Sequence, residues 1–320
     1  MSTPDLAAPR PATWRRLAGF KGVAYILVLL VAGFSAFAPG FATGANLANI
    51  GLQSAVLLML ALPSTLVIMT EGIDVSIAAV LGLCGVVLAI IVVKGGPVPL
   101  ALAAAIGVGL AFGALNGALV ALLKMPPFVV TLGTLGMAHG LALVVTDGQS
   151  IVGLGKTIHN TYESSLLGIP FPVLMAAAAY AVTHYLLYHT RFGAYVFAIG
   201  GNREALVLAG ARANAYHVGV YALAGLMAGI TALLLTGRMN SGHPTAAIGM
   251  EFEAIAAVIV GGTSFEHGKG WLFGTLLGVV AVGVLRNGLN ILAVPSSLQV
   301  VSIGLLLIVA LTIDGFRNKP

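Results

Sequence analysis

The chain has 320 residues, 59% of them hydrophobic and only 8% charged, with a mean hydropathy of +1.04. Soluble domains carry roughly a quarter charged residues, so the composition excludes a soluble enzyme and reads as an all-α integral membrane protein. Fifteen Lys and Arg stand against ten Asp and Glu, and the cations are scattered at the ends of apolar runs, which is a pattern of membrane topology and not of nucleic-acid binding.

Arg10, Arg15, Arg16 and Lys21 precede an apolar run at 23–38 that ends in Ala36-Phe37-Ala38. This has the outline of a signal peptide with its cleavage site. Pro39 directly after that site disfavours cleavage, and the later spans need a starting anchor. Residues 1–22 are therefore expected as a cytoplasmic segment and 23–38 as an uncleaved first span. A crossing needs about 20 mostly apolar residues, and further candidates follow at 48–70, 74–94, 98–123, 126–146, 171–190, 214–236, 251–263, 270–292 and 297–315. About ten transmembrane helices thus form a single domain over 23–315, with a cytoplasmic tail at 316–320. An even number puts both termini on one face. With the amino terminus inside, Arg10, Arg15, Arg16, Lys21, Lys124, Arg191, Arg203, Arg212, Lys269, Arg317 and Lys319 are cytoplasmic, and Lys94, Lys156 and Arg238 are outside. That excess sets the orientation. Arg286 falls within a span.

The longest breaks are 147–169, outside, and 191–213, inside. Both are shorter than the roughly 40 residues below which a free-standing domain is rare. The inner break holds three arginines and reads in its second half as a short helix. Asn202 serves as its N-cap, Glu204 lies in the first turn where the dipole favours an acid, and Gly210 marks the carboxyl-terminal break. An amphipathic, capped helix on one cytoplasmic loop points to docking. Cys84, the one cysteine, lies in an apolar run, so no internal disulfide forms.

The second half faintly repeats the first. Asn116-Gly117 recurs as Asn287-Gly288, and Phe128-Val-Val-Thr-Leu-Gly133 as Gln299-Val-Val-Ser-Ile-Gly304, both 171 residues on. Ile77-Ala-Ala-Val80 echoes Ile255-Ala-Ala-Val258 after a seven-residue shift. Each matched span crosses opposite to its mate, as an inverted-topology repeat requires, and solute paths in such folds lie at the repeat interface near broken or shortened helices. The Glu71-Gly-Ile-Asp74 break and the short run at 251–263 are the places to look.

Membrane-embedded ionisable residues are expensive and therefore functional candidates: Asp74, Glu251, Glu253 and Arg286. Asp74 and Glu251 each begin a span, so helix capping and path lining both stand open for them. Ser76, Asn116, Thr131 and Asn287 either line a polar path or bridge neighbouring helices. Ser150-Ile-Val-Gly-Leu-Gly155-Lys156-Thr157 nearly matches a phosphate-binding loop, but Ser150 replaces the first glycine, no buried strand precedes it, and the loop faces outward. The seven histidines show no metal spacing; His184 and His189 lack a third ligand. Ser76 and His139 exist as protease-like types, with nothing in the sequence to bring them together.

Glu71-Gly-Ile-Asp-Val-Ser76, the stretch from Asn116-Gly117 to Pro127-Phe-Val-Val-Thr-Leu-Gly133, Gly200-Gly-Asn-Arg-Glu-Ala205, Gly210, Pro244-Thr245, Glu253-Ala-Ile-Ala-Ala-Val258, Gly261-Gly-Thr-Ser264, Gly268-Lys-Gly270 and Asn287-Gly-Leu-Asn290 follow in that order. As an ordered set, from about residue 45 to the end, they closely resemble the ribose-type permease subunits of bacterial ABC importers for monosaccharides, in the branched-chain amino acid/ribose-type transport permease family. The resemblance implies a multi-pass permease of the bacterial inner membrane, surrounded by lipid and working with a second permease copy, the same or a related chain. Two cytoplasmic ATPase subunits or a tandem ATPase, and a periplasmic sugar-binding protein, complete the implied assembly. It implies that this chain is no enzyme and holds no cofactor, ATP being bound by the partner. It also implies that the 191–213 loop carries the coupling helix, with Asn202, Glu204, Ala205 and Gly210 at the ATPase. Leu206 replaces the family's second alanine, and Val75 and Ala78 replace a leucine and a glycine. A transporter driven by an ion gradient through Asp74, Glu251 or Glu253, or a passive facilitator, are the alternatives.

Overall fold

The computed structural model describes residues 13–265 and 268–317. Residues 1–12 and 318–320, which hold most of the expected cytoplasmic amino-terminal segment and of the tail, lie outside the described residues. Twelve helices run in chain order among the described residues: α1 (Thr13–Phe37), α2 (Gly44–Met69), α3 (Ile77–Val93), α4 (Val98–Ala121), α5 (Pro127–Thr146), α6 (Lys156–Glu163), α7 (Phe171–His189), α8 (Arg191–Leu208), α9 (Ala213–Met239), α10 (Met250–Val260), α11 (Leu272–Ile291) and α12 (Ser296–Arg317). Each apolar run expected from the sequence falls on one of them. Six (α2, α4, α5, α7, α9 and α11) are long and apolar enough to cross a membrane by length and composition, and shorter apolar stretches occupy Gly22–Phe37, Ile77–Val93 and Ser296–Val309. At 1.5 Å per residue, α10 with its 11 residues is about 16 Å long, half a hydrocarbon layer.

Local chemistry sets the helix ends. Thr43 caps α2, its side chain accepting from the Asn46 backbone amide. Proline occupies the first turn of α4, α5 and α7, where its missing N–H is no loss. Helix α2 stops at Glu71, which takes a left-handed conformation (φ 60°) while the Gly72 amide reaches back to the Val67 carbonyl. The following break is longer than expected: α3 begins at Ile77, with Ser76 as its cap, because the Asp74 carboxylate is turned onto Ser76.

The two long breaks contain more structure than the sequence indicated. Segment 147–169 folds α6 and a tight hairpin of β2 (Ser165–Leu166) and β3 (Ile169–Pro170), while β1 (Ile151–Val152) pairs antiparallel with β4 (Ser241–Gly242) after α9. In the near-phosphate-loop motif, β1 therefore lies inside the motif instead of preceding it as a buried strand. Segment 191–213, expected to be helical only in its second half, is helical from Arg191, with a break in the ladder at Asn202 (φ −163°, ψ 93°).

Small residues bring the helices together. Along the α4–α9 seam, a Cβ added at Gly113 meets the Tyr221 carbonyl, the Gly225 amide at 3.0 Å and the Ala222 Cα at 3.1 Å, and one at Gly117 meets the Val218 Cα at 2.7 Å. The two backbones touch, and only glycine permits it. Helix α3 packs on α4, α5 and α9, and α10 packs on α11, α12 and α2; α2 and α9 meet each other at the centre. Enclosure is uneven: 89% of the most apolar stretch of α2 is buried, against 22% for α4.

Candidate functional site: two polar clusters and a capped helix

The first cluster joins the helix break after α2 to α4 and α5. Ser76 Oγ donates to Asp74 Oδ1 at 2.6 Å and accepts from Asn116 Nδ2 at 2.8 Å, and Thr134 Oγ1 donates to Asn116 Oδ1 at 2.7 Å. Thr131 Oγ1 lies alongside, 3.0 Å from the Ile73 carbonyl. All five side chains are buried, so the run of hydrogen bonds satisfies groups that would otherwise be stranded. The cluster thus gathers four of the sequence candidates, Asp74, Ser76, Asn116 and Thr131, into a bridge between helices. Ser76 is fully engaged, with no histidine among its partners. Tyr221 of α9 borders the break: a Cβ on Gly72 would run into its hydroxyl.

The second cluster lies at the far end of α9. Arg286 of α11 reaches Glu253 of α10 with 2.8 and 2.9 Å contacts from one guanidinium nitrogen to both carboxylate oxygens. The Glu253 side chain is 11% exposed and that of Arg286 45%, so the pair is anchored in protein at the acid and opens to a cleft at the base. That cleft, about 310 Å³, is lined among others by Gln53, Arg238, Glu253, Arg286 and Asn290. Close by, Asn287 and Asn46 exchange reciprocal amide hydrogen bonds of 2.8 and 2.9 Å between α11 and α2. Glu251, the remaining candidate, is buried and accepts from the Gly249 amide at 2.9 Å, capping its own helix. The sequence candidates therefore form two groups and not one site.

The third feature is the end of α8. Asn202 Oδ1 accepts from the Ala205 amide at 2.9 Å, the N-cap geometry expected from the sequence. Gly210 takes φ +75° and its amide returns to the Val207 carbonyl, while the Ala211 amide reaches Leu206. This is the left-handed glycine stop. Glu204, Ala205, Val207 and Leu208 are exposed, whereas Arg203 and Leu206 turn inward. Leu208 is 88% exposed.

Asn46, Thr134 and Gln53 escaped the sequence reading, and Asn290 entered it only as part of a family motif. Thr134 was within reach of it, three residues from Thr131 and so on the same helix face. Asn46 was not: its partner is 241 residues away. His184 packs its ring on Tyr188 with centroids 4.6 Å apart, and His189 stacks on Tyr185 at 5.8 Å.

Residues 46–311 match the family model for the branched-chain amino acid transport system / permease component. The chain is 38% identical to the ribose import permease protein of Bacillus subtilis over 306 residues, covering 95% of this chain and 94% of that one. It is 36% identical to the D-allose transport system permease protein of Escherichia coli, over 93% and 92% of the two chains. Among solved structures, an inward-facing metal-chelate-type ABC transporter superposes with a TM-score of 0.54 at 14% identity, covering 93% of this chain and 99% of that chain; at that identity the likeness concerns fold alone. The chain belongs to the branched-chain amino acid transport system permease-component family, and is a multi-pass membrane protein.

Proposed function

We propose that this family member is the permease subunit of an ATP-driven importer for a monosaccharide or small polyol, forming the path by alternating access. The relatives' names, a ribose import permease and a D-allose transport system permease, supply the cargo class. The observation that carries the mechanism is the capped helix after Asn202, which presents Glu204, Ala205, Val207 and Leu208 to solvent from a membrane-embedded body. That is a surface made for a partner, and among the described residues no phosphate-binding strand–loop–helix accompanies it.

In this reading two cytoplasmic ATPase subunits, or a tandem one, grip that helix in each of two permease copies, and a periplasmic binding protein delivers the sugar. ATP stays with the partner. Ten segments cross the membrane, four of them helped by neighbours: α1, α3 and α12 by packing, and the half-length α10 by the loops that extend it. Both termini are cytoplasmic, following the cation bias. An inverted repeat of α2–α5 and α9–α12 is supported by matching neighbours: α3 packs on α4 and α5 as α10 packs on α11 and α12, and α4 lies on α9 as α11 lies on α2. The Asp74 cluster then belongs to the inner half and the Glu253–Arg286 cleft to the outer half. The cleft, with planar amides and a paired charge, suits transient contact with hydroxyl groups better than tight binding. Ion coupling fits less well, because Asp74 is bonded to Ser76 and Glu253 to Arg286.

Reconstituted with its ATPase, the chain carrying Glu204→Lys is expected to insert normally but lose ATPase co-purification and uptake. Uptake against a gradient by the purified chain alone, or normal ATPase association in Glu204→Lys, overturns the reading.

A further inference from the structure

Arg203 is the first residue of the docking helix after its Asn202 cap and yet takes no part in its exposed face. Its Nη2 donates to the Ala121 carbonyl at 2.9 Å and to Asn214 Oδ1 at 2.9 Å. Ala121 is the last residue of α4, so its carbonyl is one of those left without an intrahelical partner, at the negative end of the helix dipole. Asn214 is the second residue of α9. One guanidinium thus holds the docking helix to the inner ends of both α4 and α9.

We propose that Arg203 is the positioning residue that transmits motion of the docking helix to the permease core. The proposal rests on the docking reading above. Four observations carry it. The break at Asn202 interrupts the helix, so the segment after it does not inherit its direction from residues 191–201, whose Gly200 is pressed against the Met69 carbonyl and Gly268. Past that break, Arg203 supplies the polar ties the segment makes to α4 and α9. Those two helices share a seam where backbone touches backbone at Gly109, Gly113, Gly117 and Gly225, and close-packed elements of this kind move as one body. Helix α4 also carries Asn116, which is hydrogen-bonded to Ser76 before α3 and to Thr134 on α5. Displacement of the docking helix therefore passes through Arg203 to α4 and α9, and from Asn116 to the helix break at Asp74.

The fork matters as much as the charge. Arginine satisfies two acceptors in a fixed plane, whereas lysine offers a compact ammonium on a flexible stem. Arg203→Gln shortens the side chain and removes the charge, while leaving Glu204, Ala205, Val207 and Leu208 available to the ATPase.

The test uses the complete importer, this chain with its ATPase and binding protein, in proteoliposomes. The probe is whichever of radiolabelled D-ribose, D-allose and L-arabinose stimulates ATP hydrolysis through the binding protein. Arg203→Gln is expected to keep ATPase co-purification and to lower sugar taken up per ATP hydrolysed by about tenfold, the size of an ordinary coupling energy. Asn214→Ala is expected to lower the same ratio by about threefold, since one acceptor remains. A purely structural role would reduce assembly and hydrolysis together and leave the ratio alone. An unchanged ratio in both variants overturns the proposal. A distance measurement with Arg203 in place decides independently of how the variants fold. Spin labels at Lys124→Cys and Ala209→Cys, with Cys84 replaced by Ala, are expected to give one narrow separation that is the same with and without ATP. A change of about 5 Å, a helical turn, overturns it. Normal ATPase association in Glu204→Lys would instead remove the docking surface itself, whereas intact docking with an unchanged ratio removes only the link through Arg203.

Discussion

Gly113→Ala adds one methyl group to the α4–α9 seam, and the structure gives its sign. In an open helix the change would stabilise by about 1 kcal/mol through backbone entropy. Here the new Cβ would lie 3.0 Å from the Gly225 amide nitrogen and 3.1 Å from the Ala222 Cα, and would overlap the Tyr221 carbonyl. Carbon contacts settle near 3.5–4.0 Å, so the helices must part by roughly 1 Å, which forfeits a quarter to a half of each dispersion well along the seam. The neighbours that must yield are backbone, not flexible side chains. With dozens of atom pairs worth about 0.1–0.2 kcal/mol each, and with overpacking in cores typically costing about 1–3 kcal/mol, the net loss is about 2 kcal/mol. At roughly 2 °C per kcal/mol for a long chain, thermal unfolding in detergent should drop by about 4 °C. The partner control is Gly136→Ala on α5, where nothing lies within 4 Å of the added carbon; it should leave the unfolding temperature unchanged or slightly raised. If Gly113→Ala melts at or above the wild-type temperature, backbone contact between α4 and α9 is not what fixes their spacing.

Glu253→Gln leaves Arg286 without its counter-charge and should reduce the folded fraction in membranes, by about 1–3 kcal/mol once the partial exposure of the arginine is allowed for. Glu253→Gln with Arg286→Leu should recover much of that stability by chemical denaturation while uptake stays impaired, which separates packing from path. Asn46→Leu and Asn287→Leu should each destabilise by about 1–3 kcal/mol by orphaning the facing amide, and the double variant should lose less than the sum; strict additivity would mean that the pair does not interact. Gly210→Val forces a β-branched residue into φ +75° and should loosen the end of the docking helix, read as weaker ATPase co-purification with normal membrane insertion.

What the sequence disclosed follows from the range of the forces involved. The Asn202 cap and the Gly210 stop were legible because a cap involves residues three or four apart. The apolar runs located most long helices to within a few residues, since burial in lipid or protein depends on composition. The exceptions are α1, which starts at Thr13, well before its run at 23–38, and α8, which no apolar run marked. The break at Glu71 was legible too, but its length was not, because Asp74 turns onto Ser76 instead of opening a helix. Pairings across the chain left no local trace: Asn46 with Asn287, Glu253 with Arg286, and Arg203 with Ala121 and Asn214 depend on which helices meet. Arg203 in particular lies between the exposed Gly201, Asn202, Glu204 and Ala205, so only its contacts reveal that it turns the other way. Helix α6 and the small strand pairs were hidden for another reason: α6 is short and mostly polar, and each strand is only two residues long, too short for a periodic pattern.

The enclosure of α2 bears on how the polypeptide matures. Its extensive neighbours are α7, α9, α10 and α11, every one of them synthesised after it. On leaving the translocon α2 must rest in lipid, and later exchange acyl chains for protein as the remaining helices arrive. A nascent chain halted before α9 would therefore hold its future centre at the periphery. The amino-terminal half is an assembly intermediate awaiting its complement, not a module that matures alone.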